Sequence, residues 1–431
     1  MKKMKANFGK RLSITGLFFL AAALIMLPAS MRAGDGSDGT YHSGRILVKF
    51  KSPPSSELLK GFKRNYNIQL ERVIPRIQVY RFTIPKTQSV PAVIKRVVKN
   101  RRVDFVEPDY VRYPFYTPDD PLFPYQWDMT LMGLPSLWDS GIGIPEVIVA
   151  VLDTGIDLDH PDLINQLWQN PGEIPGNRRD DDGNGYVDDF NGYDFAGDGW
   201  FPGPWKEDPI PEDLYVGHGT HVSGTIGAEQ DNGEGISGIA PGTRIMAVRC
   251  LGGILGAGYS SDISEGIIYA TDNGASIINM SLGGTAKSST EYLALKYAWD
   301  NNVFIAAAAG NDGDGKNNIN YPAAYVFAMS VGATDNADGI ASFSTHNEFV
   351  ELTPPGVQIL STVPGGGYES AIWSGTSMAT PHVAGLAALL YSHFQGISNW
   401  QVRFMLQSSV VDRGPEGWDE FFGYGRADGV A

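Results

Sequence analysis

The 431-residue chain reads as an α/β protein, with a mostly parallel sheet covered by helices on both faces and a small split-βαβ unit ahead of it. Three observations predict this architecture. Four apolar runs, EVIVAVLD (146–153), RIMAVRCL (244–251), ASIINMSL (275–282) and VFIAAAAG (303–310), suit strands buried on both faces. Helical patterns alternate with them: DISEGIIYATDNG carries Ile263, Ile267 and Ala270 on one stripe, and in SSTEYLALKYAWDNN Ser288 and Glu291 have capping-box spacing. The charge also changes sign along the chain. Residues 1–117 hold 22 Lys/Arg against 7 Asp/Glu, whereas residues 118–431 hold 11 against 41.

In chain order, a basic start (MKKMKANFGKR) precedes the 16-residue apolar run LSITGLFFLAAALIML, followed by Pro28, Ala29 and Ser30. The run is short for a bilayer span of roughly 20 residues, so 1–33 is expected to be a secretory signal peptide cleaved within 29–34. The product would then be secreted, without stable membrane association. Residues 34–44 are a Gly/Ser-rich linker. Over 45–116, RILVKF, IQVYRFTIP and VDFVEP read as strands, and SSELLKGFKRNY and SVPAVIKRVVKN as helices, with Val90, Val93, Ile94 and Val97 on one helical stripe. Residues 117–431 form the larger domain. With 42% apolar residues the chain is not disordered. Its acidic body excludes a nucleic-acid partner, because phosphate binding needs a basic face. The single Cys250 sits in an apolar strand and reads as packing.

Three segments carry chemistry. Asp153 ends the strand VIVAVLD; His218 sits in VGHGTHVSGT; Ser377 sits in WSGTSMATPHVAGLAALL, a glycine turn opening a long apolar helix. Acid, His, Ser is one chain order of a nucleophilic triad. A serine hydroxyl needs a base to remove its proton, imidazole is the side chain with a near-neutral pKa, and a carboxylate fixes its tautomer. A helix N-terminus behind the serine offers N–H donors to a developing oxyanion.

The blocks VLDTGID, GHGTHVSGT and SGTSMATPHVAG, in that order, resemble the three catalytic motifs of the subtilisin-like serine proteases, from about residue 118 to 429. The front unit looks like the family's inhibitory propeptide. The resemblance implies a triad of Asp153, His218 and Ser377, with Asn311 of AAAAGND as the side-chain donor to the oxyanion. It implies a substrate groove from Ser281, Leu282 and Gly283 of SLGG and from Ala308, Ala309 and Gly310 of AAAG. Small groove walls imply a preference for large apolar P1 residues, qualified by Asn320 at the pocket floor and Asp312 at the rim. His221 and His382 read as core histidines, and His160 carries no clear chemistry.

Calcium is the expected cofactor, in a structural role. RDDDGNGYVDDFNG begins like an EF-hand loop, but Asn191 stands where that loop needs a bidentate Glu, so the frame differs. Its candidate ligands are Asp180, Asp182, Asn184, Tyr186, Asp188 and Asp189; that many Asp would repel without a cation. By resemblance a second site draws on Asp120, Asp162, Gln230, Asn232, Glu234 and Ile236, while Glu351 leaves a third site open. The expected protein is a monomeric, self-processing endopeptidase, with polypeptides as substrates and its own propeptide as intramolecular inhibitor. A non-catalytic binding or scaffold protein on the same fold is the alternative, and no triad residue is replaced to favour it. An esterase is disfavoured, because GTSMA lacks the G-x-S-x-G elbow.

Overall fold

A computed structural model of the chain describes residues 31–32, 41–110, 116–197, 199, 206–213 and 215–429. The chain divides into two compact units, residues 1–114 and 115–431. Most of the expected signal peptide, and residues 111–115 at the end of the expected propeptide, lie outside the described residues.

The first unit is an antiparallel sheet with two helices. Its elements are β1 (Met31–Arg32), β2 (Tyr41–Phe50), α1 (Ser56–Tyr66), β3 (Gln69–Ile74), β4 (Val79–Thr83), α2 (Val90–Val97) and β5 (Val103–Tyr110). The strands pair in the order β1-β2-β4-β3, and β5 also pairs with β2. Ser55 and Ser89 cap the helices, each accepting an N–H of the first turn. Phe62 of α1 meets Phe50 edge-on at 5.0 Å and Phe82 at 5.5 Å, over fully buried Ile46, Val48, Val93 and Val97. Strand β2 begins at Tyr41, inside the segment expected to be linker. Tyr41 pairs with Tyr110 and packs edge-on against its ring, which draws the polar start of the strand into the sheet.

The second unit opens with two short helices, α3 (Trp127–Leu131) and α4 (Leu134–Leu137). Its elements then run β6 (Ile148–Asp153), β7 (Gly192–Asp194), α5 (His218–Gly227), β8 (Arg244–Arg249), α6 (Ser260–Asp272), β9 (Ile277–Met280), α7 (Ser289–Asp300) and β10 (Phe304–Ala308). After α8 (Gly313–Lys316) come β11 (Met329–Val331), β12 (Val350–Leu352), β13 (Ser361–Val363), β14 (Gly367–Glu369), α9 (Thr376–His393), α10 (Asn399–Ser408), β15 (Val410–Val411) and β16 (Arg426–Ala427). Seven strands form one sheet in the order β12-β11-β10-β9-β6-β8-β7, and every pair in it is parallel.

Alternate residues of β6 serve opposite faces. Val149 and Val151 join the core that holds Val222 and Ile226 of α5 and Val383 and Leu386 of α9. Ala150 and Leu152 join the core of α6 and α7, with Ile263, Ile267, Leu295 and Cys250. Cover on both faces explains the continuous apolar runs that mark the central strands. The three-residue strands β7, β11 and β12 have no such run, and neighbouring strands hold them in register. Strand order reverses between β6 and β9, the place where open parallel sheets leave a crevice at their carboxyl ends.

Candidate active site

Asp153 is the last residue of β6 and is fully buried. Its Oδ1 accepts the Thr154 N–H at 2.8 Å and lies 2.7 Å from Nδ1 of His218, the first residue of α5. The helix can start there because Gly217, at φ 79°, occupies the left-handed region, and because Gly219 has no Cβ; one would fall 2.1 Å from the Gly155 carbonyl. Asp213, whose role sequence reasoning missed, holds this turn. Its carboxylate accepts the N–H groups of Gly217 (2.9 Å) and Thr220 (3.2 Å) and the hydroxyls of Thr154 (3.1 Å) and Thr220 (3.0 Å). An acidic residue just ahead of a helix start was the available signal. Burial disfavours the charged form of His218, but the Asp153 carboxylate and its hydrogen bond outweigh that, and the imidazole is raised above its ordinary value.

Ser377 lies at the N-terminal end of α9, beside its N-cap residue Gly375. Pro381 sits four residues on, inside the helix, and has no N–H to give the Ser377 carbonyl. The Ser281 hydroxyl donates to that carbonyl instead, at 2.8 Å, and Ser377 Oγ donates in return to the Ser281 carbonyl at 3.0 Å. The hydroxyl is therefore held on the end of β9 rather than on His218, and rotation about its Cα–Cβ bond frees it. Thr376 orients Asn311: its N–H and hydroxyl both donate to Asn311 Oδ1, at 2.8 and 3.1 Å. That assigns the amide and leaves Nδ2, which makes no hydrogen bond within the described chain, to face the cleft.

His218, Ser377, Asn311, Ser281, Leu282 and Gly283 share one cleft of about 730 Å³. Ala308, Gly310 and Asn320 line it as well. One groove glycine has an intrachain reason to be small: Gly310, at φ 111°, would place a Cβ 2.1 Å from Asn320 Nδ2. The backbone of Gly284 is already paired with Tyr321 through reciprocal 2.8 Å hydrogen bonds. The backbone left to receive an extended peptide is thus Ser281–Gly283. Asn320 donates to the Ala309 carbonyl at 2.9 Å, which fixes the orientation of its amide.

His221, His382 and His160 are bonded inside the fold. His221 stacks on Trp373 at 4.6 Å and faces the Ile359 carbonyl at 2.9 Å; burial pushes it down to about 3. His382 meets the Met378 carbonyl (2.9 Å) and Asp128 (3.0 Å), and His160 meets the Gly367 carbonyl (3.0 Å).

Two acidic clusters could hold a metal. In the 180–189 loop, Asp182 and Asp189 converge with Glu173, a residue outside the expected set. Asp180 and Asp188 are instead turned to backbone N–H groups, of Gly183 and Gly185 and of Asn177 and Arg178 respectively, and Asn184 Oδ1 accepts the Tyr186 N–H. In the second cluster Asp120 meets Asp119 and Asp231. Asp162 lies beside it, accepting Asn232 Nδ2 at 2.7 Å and the Ile236 N–H at 3.0 Å, while Gln230 donates to Ser237. Glu173 Oε2 and Asp120 Oδ1 are buried without a hydrogen-bond partner, so both clusters fit a hard cation. Glu351 does not: Arg403 and Gln407 occupy its carboxylate.

Comparison with known proteins agrees with this geometry. Residues 145–425 match the Subtilase family, and residues 28–109 match the fervidolysin N-terminal prodomain. The thermophilic serine proteinase of Bacillus sp. (strain AK1) is 37% identical over 90% of this chain and 86% of that protein. Fervidolysin of Fervidobacterium pennivorans is 33% identical over 91% of this chain and 58% of that protein. Among solved structures, a protease from Pseudoalteromonas arctica PAMC 21717 superposes with a TM-score of 0.60, at 30% identity, over 73% of this chain and 98% of that one. The match over residues 145–425, together with a relative 37% identical over 90% of the chain, shows that this chain belongs to the subtilase family of serine endopeptidases.

Proposed function

We propose that Asp153, His218 and Ser377 are the catalytic triad of a calcium-stabilised endopeptidase that is exported as a zymogen and processes itself. The observation that carries this is the 2.7 Å Asp153–His218 pair opening on the cleft that also holds Ser377 and the unpaired Asn311 amide. When a peptide adds along Ser281–Gly283, Ser377 Oγ leaves the Ser281 carbonyl, gives its proton to His218 Nε2 and attacks the scissile carbonyl carbon. Asp153 stabilises the imidazolium so formed and keeps Nδ1 protonated. Asn311 Nδ2 and the Ser377 N–H donate to the oxyanion. His218 then protonates the leaving amine, and water hydrolyses the acyl-enzyme by the same route.

The apolar walls at Leu282 and Ala308 favour a large apolar P1 side chain. Calcium would be held by Glu173, Asp182 and Asp189 and by Asp120 with its neighbours, joining acidic loops without entering the reaction. The test is cleavage of denatured casein by the processed protein, blocked by a serine-directed phosphonylating reagent that modifies Ser377. Processed, folded protein that cleaves nothing would favour the scaffold alternative.

A further inference from the structure

The spacing of Ser288 and Glu291 predicts a reciprocal capping box at the start of α7, and only half of it forms. Ser288 Oγ accepts the Glu291 N–H at 3.3 Å, but the Ser288 N–H goes to the Tyr325 hydroxyl at 2.8 Å. The Glu291 carboxylate, released from the helix end, turns to α6, where Oε1 accepts the Ser260 hydroxyl at 2.6 Å. Glu291 is only 7% exposed, yet it lines the substrate cleft beside Ser260, Ile263 and Leu282. Its Oε2 has no hydrogen bond or ion pair within the described chain. The cation next in sequence, Lys287, is directed over the Tyr321 ring, 5.4 Å from its centroid. Among the described residues no Lys or Arg lines the cleft, and the other carboxylate that lines it, Asp312, already accepts Asn318 Nδ2 at 3.0 Å.

A carboxylate in this position is costly to keep charged. Burial pushes Glu291 up, against the lowering effect of the Ser260 hydroxyl. The first turn of α7 favours its anion, and a ligand cation would offset the remaining penalty. The apolar neighbours suit the aliphatic stem of a long basic side chain, whose charged head would reach Oε2.

We propose that Glu291 forms a cation-accepting subsite of the peptide groove, selecting Lys or Arg at one fixed position of the substrate. This rests on reading the cleft as a peptide groove, and it adds a second specificity determinant to the apolar P1 pocket.

The test compares wild type with Glu291→Gln, which keeps the side-chain shape and the acceptor for Ser260. Cleavage sites in a peptide mixture are mapped by mass spectrometry. Matched peptides carrying Lys or norleucine at the enriched position are then assayed for kcat/KM. Wild type is expected to enrich Lys and Arg at one position and to favour the Lys peptide by about ten- to a hundredfold. E291Q should lower kcat/KM for the Lys peptide by that factor, so that the ratio falls to near one. A wild-type ratio near one overturns the proposal by itself, as does an unchanged ratio in folded E291Q. Casein cleavage in the same experiment separates that outcome from a failure of the protease reading.

Discussion

The two units bury their strands differently, and the difference decides where chemistry can sit. In the first unit β2 alternates buried with partly buried residues from Ile46 to Phe50, as a sheet packed on one face does, and its core is built from aromatic rings and aliphatic side chains. Its Glu71 lies in partly exposed ion pairs with Arg45 and Arg81, each at 3.0 Å, where solvent screening leaves little net stabilisation. In the second unit β6 is buried along nearly its whole length, so the carboxylate at its end, Asp153, is removed from water entirely. A charge in that setting acts strongly on its neighbour. Carboxylates are also gathered there without counter-cations, whereas the first unit shows no such cluster among the described residues. The second unit therefore holds the proposed reaction centre and two clusters that could hold a metal, and the described residues of the first hold no such cluster.

The largest expected effect separates the units physically. Ser377→Ala should abolish proteolysis and leave the purified precursor in one piece, so that a mature species arising from it in the absence of other proteases would show that processing is not self-catalysed. Asp153→Asn should fold normally and lose roughly 10⁴ in turnover, because the imidazole is stranded in the wrong tautomer. The pH profile of its residual activity gives the sign. Asp153 is what raises His218, so its neutralisation should move the acid limb of kcat/KM to lower pH. By the same linkage protonated His218 stabilises the fold at low pH, a contribution lost as pH rises through the raised value. Asn311→Ala should cost roughly 10² to 10³ in kcat with KM little changed, the size known for the corresponding donor of a related protease.

Chelation should act on the second unit alone. At free calcium a hundred times its dissociation constant each site contributes roughly 2.7 kcal/mol, read as a lowered melting temperature on metal removal. Asp189→Asn should shrink that calcium-dependent shift, and an unchanged melting curve after chelation would remove the metal from the account. Ser281→Ala should cost about 1–3 kcal/mol in stability, measured by denaturant unfolding, since it leaves the Ser377 carbonyl without its partner beside Pro381. The smallest effect concerns charge. Residues 35–117 carry 16 Lys/Arg against 7 Asp/Glu and residues 118–431 carry 11 against 41, so the separated first unit should inhibit the mature enzyme in trans. Stopped-flow mixing should show its association rate falling with salt while inhibition persists. No inhibition at any ionic strength would assign the first unit another role.

Periodicity in the sequence was enough to place the four central strands, the long helices and the unit order, because burial on both faces of a parallel sheet imposes unbroken apolar runs that survive in one dimension. Asp153, His218 and Ser377 stood out in the sequence for a related reason, since each sits at an element boundary whose glycines and small residues are dictated by local backbone geometry, whereas Asn311 was singled out only by the resemblance of its segment to the subtilisin-like proteases. The short strands β7, β11 and β12 were not legible, since their pairing comes from neighbours distant in sequence.

Tertiary structure alone decided the partners. Nothing in the local sequence says that Asp180 and Asp188 turn to backbone N–H groups while Glu173 joins Asp182 and Asp189, or that Arg403 reaches across 52 residues to occupy Glu351. Nor does it say that Asp213 holds the His218 turn. Glu291 shows the reason most plainly. Its local spacing specifies a helix cap, but Tyr325, 37 residues from Ser288, takes that donor first, and the carboxylate goes to the cleft instead. Hydrogen-bond partners are chosen by competition among all groups that folding brings together, and a sequence pattern states only the local candidates.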